Sequence, residues 1–326
     1  MNKKTLASCL FALAAGPALA QSSVTAYGLI DLSVGSGKAA GTTATIKTAD
    51  SGKMTTSYFG FRGTEDLGGG LSAIFQIDSF MRADIGASGR SGTDPFWARN
   101  AFVGFTSKDF GTLKLGRNTT TLFLATLNFN AIGDSFGYSP AIRHIFTSGT
   151  VTGDSGWSDS VLYTTPTFAG FTASAFVAPG EGQGGRNVAA TGSYTSGPLA
   201  AALVYQKVQK DGGATPVDDT TVWMANGSYD FSVVKLFAQY AKASNDTKHV
   251  DYKIYEAGAS VPIGLGKLLM QYGRISPTAG AGRKTLTVGY DYFLSKRTDL
   301  YAMAMSDKVA GLANGNSFSV GMRHRF

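Results

Sequence analysis

The amino-acid sequence predicts an all-β fold, a transmembrane antiparallel β-barrel of about sixteen strands, on three observations. The chain ends in an alternating segment, with Phe318, Val320, Met322, His324 and Phe326 on one face of an extended strand and Ser317, Ser319, Gly321, Arg323 and Arg325 on the other. Segments of this kind recur from Val24 onward, joined alternately by seven short turns and eight longer polar connections. Beyond the first twenty residues no apolar run approaches the roughly 20 residues of a spanning helix, so any membrane crossing falls to strands.

The chain opens with Lys3 and Lys4, an apolar run from Leu6 to Ala15, and Gly16-Pro17-Ala18-Leu19-Ala20 before Gln21. This is the pattern of a secretory leader with a small-residue cleavage site. Residues 1–20 are therefore expected to be a cleaved signal peptide and 21–326 a single barrel domain. Leu6-Ala7-Ser8-Cys9 is no lipidation box, because it precedes most of the apolar region it should follow. Cys9 is the one cysteine, so its removal leaves no thiol, disulfide or cysteine ligand.

Composition agrees with strands: 42 Gly, 21 Phe and 14 Tyr accompany only 9 Pro, and charged residues make up 16% of the chain. The formal net charge is +7; without Lys3 and Lys4, 27 basic residues stand against 22 acidic, a net of +5. That excess is scattered, without the basic cluster of a nucleic-acid binder, so no nucleic-acid partner is expected.

Taken in order, Phe59 and Phe61 oppose Tyr58, Gly60, Arg62 and Thr64; Ala73, Phe75 and Ile77 oppose Ser72, Gln76 and Asp78. Leu113 and Leu115 oppose Thr112, Lys114 and Gly116; Leu286, Val288, Tyr290 and Tyr292 oppose Thr285, Thr287, Gly289 and Asp291. The polar faces carry charges and amides that a dry core would not accept unpaired, so they are expected to meet water. In 97–106 both faces carry large apolar groups, and the direction of Arg99 is left open. Short turns fall at Asp66–Gly70, Lys108–Gly111, Thr167–Gly170, Thr195–Pro198, Asp230–Ser232, Pro262–Gly266 and Ser295–Thr298. Longer connections lie near 33–56, 81–95, 118–157, 179–187, 207–220, 243–251, 276–282 and 307–316. Short connections at one end and long ones at the other are the signature of an outer-membrane barrel, and sixteen strands leave room for water inside. A soluble sandwich shares the strand spacing but not this regular pairing of turns and loops.

The third connection, 118–157, is far longer than compact domains use. Its apolar residues, Leu122, Phe123, Leu124, Leu127, Phe129, Ile132, Phe136, Tyr138, Ile142, Ile145 and Phe146, are expected to fix it against a surface. Folded into the lumen it would narrow the channel, with Asp134 in its middle and Arg143 and His144 beyond. Packing on a neighbouring subunit or over the barrel mouth is the alternative.

At these residues the chain resembles the trimeric general porins of Gram-negative outer membranes, β-proteobacterial type. The resemblance runs through Val24–Asp31, Phe59–Leu71, Gly111–Arg117, Ser160–Pro166, Gly289–Tyr292, Leu294–Thr298 and Gly321–Phe326. It implies a sixteen-stranded barrel, a homotrimer in outer-membrane lipid, a third loop folded inward, and a terminal Phe326 read as the closure and assembly signal. Ser317–Phe326 is expected to pair with the first strand, Val24–Leu32, and close the barrel. It also implies passive diffusion of small hydrophilic solutes and ions, with no cofactor. Members often carry arginine where this chain has Tyr58 and near Gly156-Trp157, and on the strand towards Ala101-Phe102-Val103 only Arg99 remains. A slight anion preference, weaker than the family's strongest cases, follows. The expected constriction residues are Arg62 and Lys114 on the wall, by strand parity, and Asp134 on the loop, with Tyr58 and Arg99 beside them.

Two other classes stay in view. A barrel hydrolase would need an acid–base set, and the three histidines, 144, 249 and 324, are not placed for one by sequence. An adhesin or closed structural barrel would share every strand signal. No carboxylate cluster has calcium-ligand spacing, Gly52-Lys53-Met54 lacks the hydroxyl of a phosphate loop, and no metal site is expected.

Overall fold

The computed structural model describes residues 23–182, 185–210 and 217–326. The expected leader, 1–20, lies outside them. The strands are β1 (Ser23–Lys38), β2 (Ile46–Ser51), β3 (Tyr58–Gly68), β4 (Leu71–Arg82), β5 (Ala87–Ser88), β6 (Asn100–Ser107), β7 (Gly111–Thr119), β8 (Gly156–Thr164) and β9 (Phe171–Ala178). They continue as β10 (Asn187–Ser196), β11 (Leu199–Val208), β12 (Thr220–Asp230), β13 (Lys235–Asn245), β14 (Val250–Ile263), β15 (Gly266–Pro277), β16 (Arg283–Phe293), β17 (Thr298–Val309) and β18 (Gly315–Arg325). Two short helices, α1 (Thr121–Asn128) and α2 (Pro140–Phe146), interrupt them between β7 and β8. β2 and β3 pair with successive stretches of β1 and form one wall strand, and β5 is a two-residue ribbon on the end of β4. Sixteen antiparallel wall strands remain, each bonded to its sequence neighbours, and β1 closes on β18.

Turn chemistry agrees with the reading. Between β3 and β4, Gly68, Gly69 and Gly70 have φ of 83°, 60° and 77°, a run of left-handed backbone that glycine alone adopts without strain. The first connection is shorter than its sequence implies: β1 continues to Lys38 and β2 returns beside it, so much of 33–56 belongs to the wall.

Closure differs in register from the expected pairing of 317–326 with 24–32. Leu29–Lys38 of β1 pairs with Arg325–Asn316, while Ser23–Leu29 pairs with Thr64–Tyr58 on the other side. Strands in a closed barrel tilt and stagger, so the two neighbours of β1 cannot begin at one level. The seam ends on Phe326, whose main-chain N–H and carbonyl exchange two 3.1 Å hydrogen bonds with Gly28. Gly28 is required there, since a Cβ would lie 2.5 Å from the Phe326 ring and 2.7 Å from the Tyr58 carbonyl oxygen.

The two faces of the wall are inverted relative to a soluble protein. Phe318, Val320 and Met322 point outward, exposed by 50%, 42% and 50%, whereas Ser319 and Arg323 on the inner face are buried. On β16, Leu286 and Val288 point out while Thr285, Thr287 and Asp291 are buried inside. So extensive an apolar exterior has no place in water and suits hydrocarbon. Outward aromatic rings pair near both rims: Tyr205–Trp223 at 4.6 Å and Tyr240–Tyr255 at 5.1 Å on the loop side, Phe171–Tyr194 at 4.4 Å on the turn side. One outward position beyond the loop-side rings comes a row of exposed cations, with Lys242 opposite Lys253, Arg274 opposite Lys284, and Lys284 opposite Lys308.

Deletion of Phe326 removes both Gly28 hydrogen bonds and the ring that covers it. Folded yield, read as the heat-sensitive fast-migrating band on a gel, is expected to fall several-fold, and Gly28→Val should do the same; normal yield for both would contradict this account of the seam.

Candidate lumen constriction

The connection between β7 and β8 folds inward, as the sequence predicts, because one side of it is a hydrophobic surface with an apolar stretch of inner wall to meet. Leu122, Ala125, Ile145 and Val151 pack among Val204, Met224, Ala241, Ile254 and Ile275, which face inward from β11 to β15. A second cluster joins Ile132 and Tyr138 to Leu269, Tyr301, Met303 and Met305. Thr120 caps α1 by accepting from the Phe123 N–H at 3.2 Å, and Ser139 caps α2 by accepting from Ile142 at 3.3 Å, with Pro140 in the first turn.

Hydrogen bonds pin the loop around the wall. Gln239 Nε2 donates to the Thr126 carbonyl at 2.9 Å, the Ala131 N–H to Gln271 Oε1 at 3.1 Å, and Thr287 Oγ1 to the Tyr138 carbonyl at 2.7 Å. His144 lies 2.8 Å from Glu256 Oε1 through Nδ1 and 3.0 Å from Thr285 Oγ1 through Nε2. Of the apolar residues expected to fix the loop, Leu122, Phe129, Ile132, Tyr138, Ile142 and Ile145 are buried, and Phe123, Leu124, Leu127, Phe136 and Phe146 are not fully buried.

A second inward segment, 52–57 between β2 and β3, was not foreseen. The Asp31 carboxylate, fully buried, accepts from the N–H groups of Met54 and Thr55 at 2.7 Å each and from the Tyr301 hydroxyl at 2.7 Å. The segment meets the long loop: Ser135 Oγ donates to the Lys53 carbonyl at 2.6 Å and Thr55 Oγ1 to Asp134 Oδ1 at 3.0 Å. The available signal was Asp31 at an inward-parity position in a strand with no other charge before Lys38.

Opposite the loop, Asp78 of β4 organises the wall. It accepts from the Tyr27 hydroxyl, Gln76 Nε2 (2.6 Å), Arg99 (2.7 Å) and Asn100 Nδ2 (3.1 Å). Arg99 points inward, its guanidinium 3.9 Å from the Tyr58 ring centre, and shares with Asp134 the lining of a recess between wall and loop. Tyr58, Arg99 and Asp134 therefore lie at the level of the loop. Arg62 and Lys114 also sit on the inner face, but nearer the short turns. Arg62 is four residues along β3 from Tyr58, about 13 Å at strand rise, and covers Tyr27, while Lys114 covers Phe102. Of these three cations Arg99, rather than Arg62 or Lys114, stands near Asp134, on which Arg323 also acts.

Most inner-face arginines hold a carboxylate. Arg117 pairs with Asp154, Arg323 with Asp291 and Asp299 at 2.6 Å each, and Arg325 with Asp299 at 2.7 Å. Arg143 and Arg283 share Asp307. Among the described residues, Arg62 and Lys114 have no ion-pair partner, nor do Asp31 and Asp134. Burial pushes the Asp134 carboxyl above the usual carboxylate range, opposed by the Thr55 hydroxyl and the fields of Arg323 and Arg99.

A family model described as Gram-negative porin matches residues 6–311. The chain is 34% identical to outer membrane porin protein 32 of Delftia acidovorans, over 98% of this chain and 92% of that protein. It is 31% identical to an outer membrane porin of Bordetella pertussis over the full length of both. The solved anion-selective porin from Comamonas acidovorans superposes with a TM-score of 0.81 at 26% identity, covering 94% of this chain and all of that one.

Asp31→Ala leaves two main-chain N–H groups and a hydroxyl unsatisfied, at about 3 kcal/mol or more. Protease is expected to cut within 52–57 in the folded variant and not in the parent; equal resistance would show that Asp31 does not hold the segment.

Proposed function

The chain belongs to the Gram-negative porin family and resides in the outer membrane, and on that premise we propose how its lumen selects what passes. Small hydrophilic solutes and ions diffuse through water between the 118–157 loop and the wall from β3 to β7. Size is limited where Arg99 and Tyr58 face Asp134. Charge is selected mainly by Arg62 and Lys114 on the turn side of that wall, inner-face cations that hold no carboxylate. This pairing pattern is the observation that carries the reading: opposite charges held together cancel at a distance, so an arginine-bearing wall yields only a slight anion preference. The shared Asp307 leaves one further positive charge near Arg143 and Arg283. The anion selectivity of the Comamonas porin supports the sign.

The hydrolase reading has one geometric argument, since Thr285, His144 and Glu256 form a hydroxyl–imidazole–carboxylate chain. His144 and Thr285 are 0% exposed and Glu256 4%, so no substrate reaches the hydroxyl, and the chain serves to tie the loop to the wall. His324 points outward and bonds Thr298 at 2.9 Å. The family's members are channels, and this chain is read as no enzyme.

The outer face supports lipid and subunit partners. Like charges directly across strands repel, and the Lys242–Lys253 and Arg274–Lys284–Lys308 neighbours beyond the aromatic rows fit a layer of anionic headgroups. Exposed Leu32, Val34, Val320 and Met322 around the seam suit burial in a homotrimer. Secretion with removal of residues 1–20 completes the reading.

Arg62→Ala with Lys114→Ala is expected to move the zero-current potential under a KCl gradient towards cation preference, with conductance largely kept. No movement would remove both residues from selection. Burial raises the Asp134 pKa, so as pH falls it takes up a proton before a free carboxylate does; anion preference should rise through that step in the parent, and the rise should be smaller in Asp134→Asn.

A further inference from the structure

Five cations stand on the outer face at the loop-side rim, across five successive strands. Lys242 of β13 lies opposite Lys253 of β14, Arg274 of β15 opposite Lys284 of β16, and Lys284 opposite Lys308 of β17. All five are exposed. Among the described residues none of them holds a carboxylate. Arg274 Nε donates to Ser276 Oγ at 3.1 Å, and Asp251, two residues from Lys253, accepts from the Ser244 hydroxyl at 2.6 Å. Like charges directly across a strand pair repel, so the row favours an anion beside it.

The other rim of these strands makes no such demand, since exposed Leu236, Leu268 and Leu300 take outward positions there. Directly beneath the cations, Tyr240, Tyr255, Tyr272 and Leu286 form an exposed apolar face, with Tyr255 opposite Arg274 and Tyr272 opposite Leu286. A molecule that fits both levels joins acyl chains to a strongly anionic head, and it fits the loop-side leaflet alone.

The cations also fall into two groups. Lys242 with Lys253 and Arg274 with Lys284 and Lys308 have centres about 12 Å apart along the rim, at roughly 4.8 Å per strand. The phosphate diester of a glycerolipid carries one charge and meets one group. A phosphate monoester carries about −1.5 to −2 at pH 7, and two of them at the ends of a disaccharide span both.

This deepens the outer-face reading above and rests on it: we propose that the row is a binding site for a bisphosphorylated glycolipid of the lipid A class. One phosphate sits between Lys242 and Lys253. The other meets the Arg274 guanidinium, which can hold two of its oxygens, with Lys284 and Lys308 as point charges beside it. The acyl chains lie on the tyrosine face. Protein cations here take the part that divalent metal ions play between such lipids in a free bilayer, so binding persists without those ions.

The test uses the full protein in non-ionic detergent with EDTA, and measures affinity for bisphosphoryl lipid A, monophosphoryl lipid A, phosphatidylglycerol and phosphatidylethanolamine. The parent is expected to bind the bisphosphoryl form roughly tenfold or more tighter than phosphatidylglycerol, as several cations near a phosphate imply. Lys242→Gln with Lys253→Gln should bring the bisphosphoryl form down to the monophosphoryl level, and so should Lys284→Gln with Lys308→Gln. Both pairs keep the heat-sensitive folded band and the KCl conductance, because neither touches the lumen. Equal affinity for bisphosphoryl lipid A and phosphatidylglycerol, binding lost in EDTA, or unchanged affinity in both variant pairs overturns the site while the general headgroup reading stands. No preference for any anionic lipid over phosphatidylethanolamine overturns that reading, and the site with it.

Discussion

Every main-chain N–H and C=O in hydrocarbon must find a partner within the protein, and the rest of this structure depends on that constraint. Sixteen strands meet it only if the first bonds the last, which β1 does through Leu29–Lys38. Closure then divides the chain's side chains into two solvents. Leu, Val, Phe and Tyr go outward, and the inner face collects the Asp, Gln, Thr and Arg that a soluble core would reject. The lumen is a consequence of satisfying the backbone, and its chemistry is whatever the inward parity supplies.

Within that lumen two forces of different range share the work. Packing decides where the loop lies, because α1 and α2 meet an apolar inner surface from β11 to β15 and leave the β3–β7 side free. Electrostatics decides what is felt by a solute beyond contact range. Arg99 with Asp78, Arg283 with Asp307 and Arg323 with Asp291 and Asp299 are local dipoles whose fields decay quickly, while single charges such as Lys114 act further. An arginine count would therefore overstate how anion-attracting the wall is.

How much of this was legible before the structure varied with the range of the interaction. Alternation at 285–292 and 317–326 sets each side chain's face, because period two is local, and the turns at 66–70 and 295–298 announce themselves by residue type. The seam register departs from the expected one because it depends on the stagger of all sixteen strands, which no local segment encodes. Arg99 was ambiguous since apolar residues occupy both faces of 97–106; its partner Asp78, 21 positions earlier, settles its direction through a contact visible only in three dimensions. The inward fold of 52–57 on Asp31 was missed for the same reason. Parity placed Arg62 and Lys114 correctly on the inner face but carried no information about height along the barrel.

The double pairing of β1 also orders events in time. Until β18 is in place, one edge of β1 from Leu29 to Lys38 is an open ladder of donors and acceptors, and segment 52–57 lacks the Arg323 guanidinium that bonds the Thr55 hydroxyl. A chain halted before β18 is thus an open, adhesive sheet with a half-built vestibule, not a smaller channel. The cell that makes this protein must keep such an edge occupied by something else until the final strand arrives.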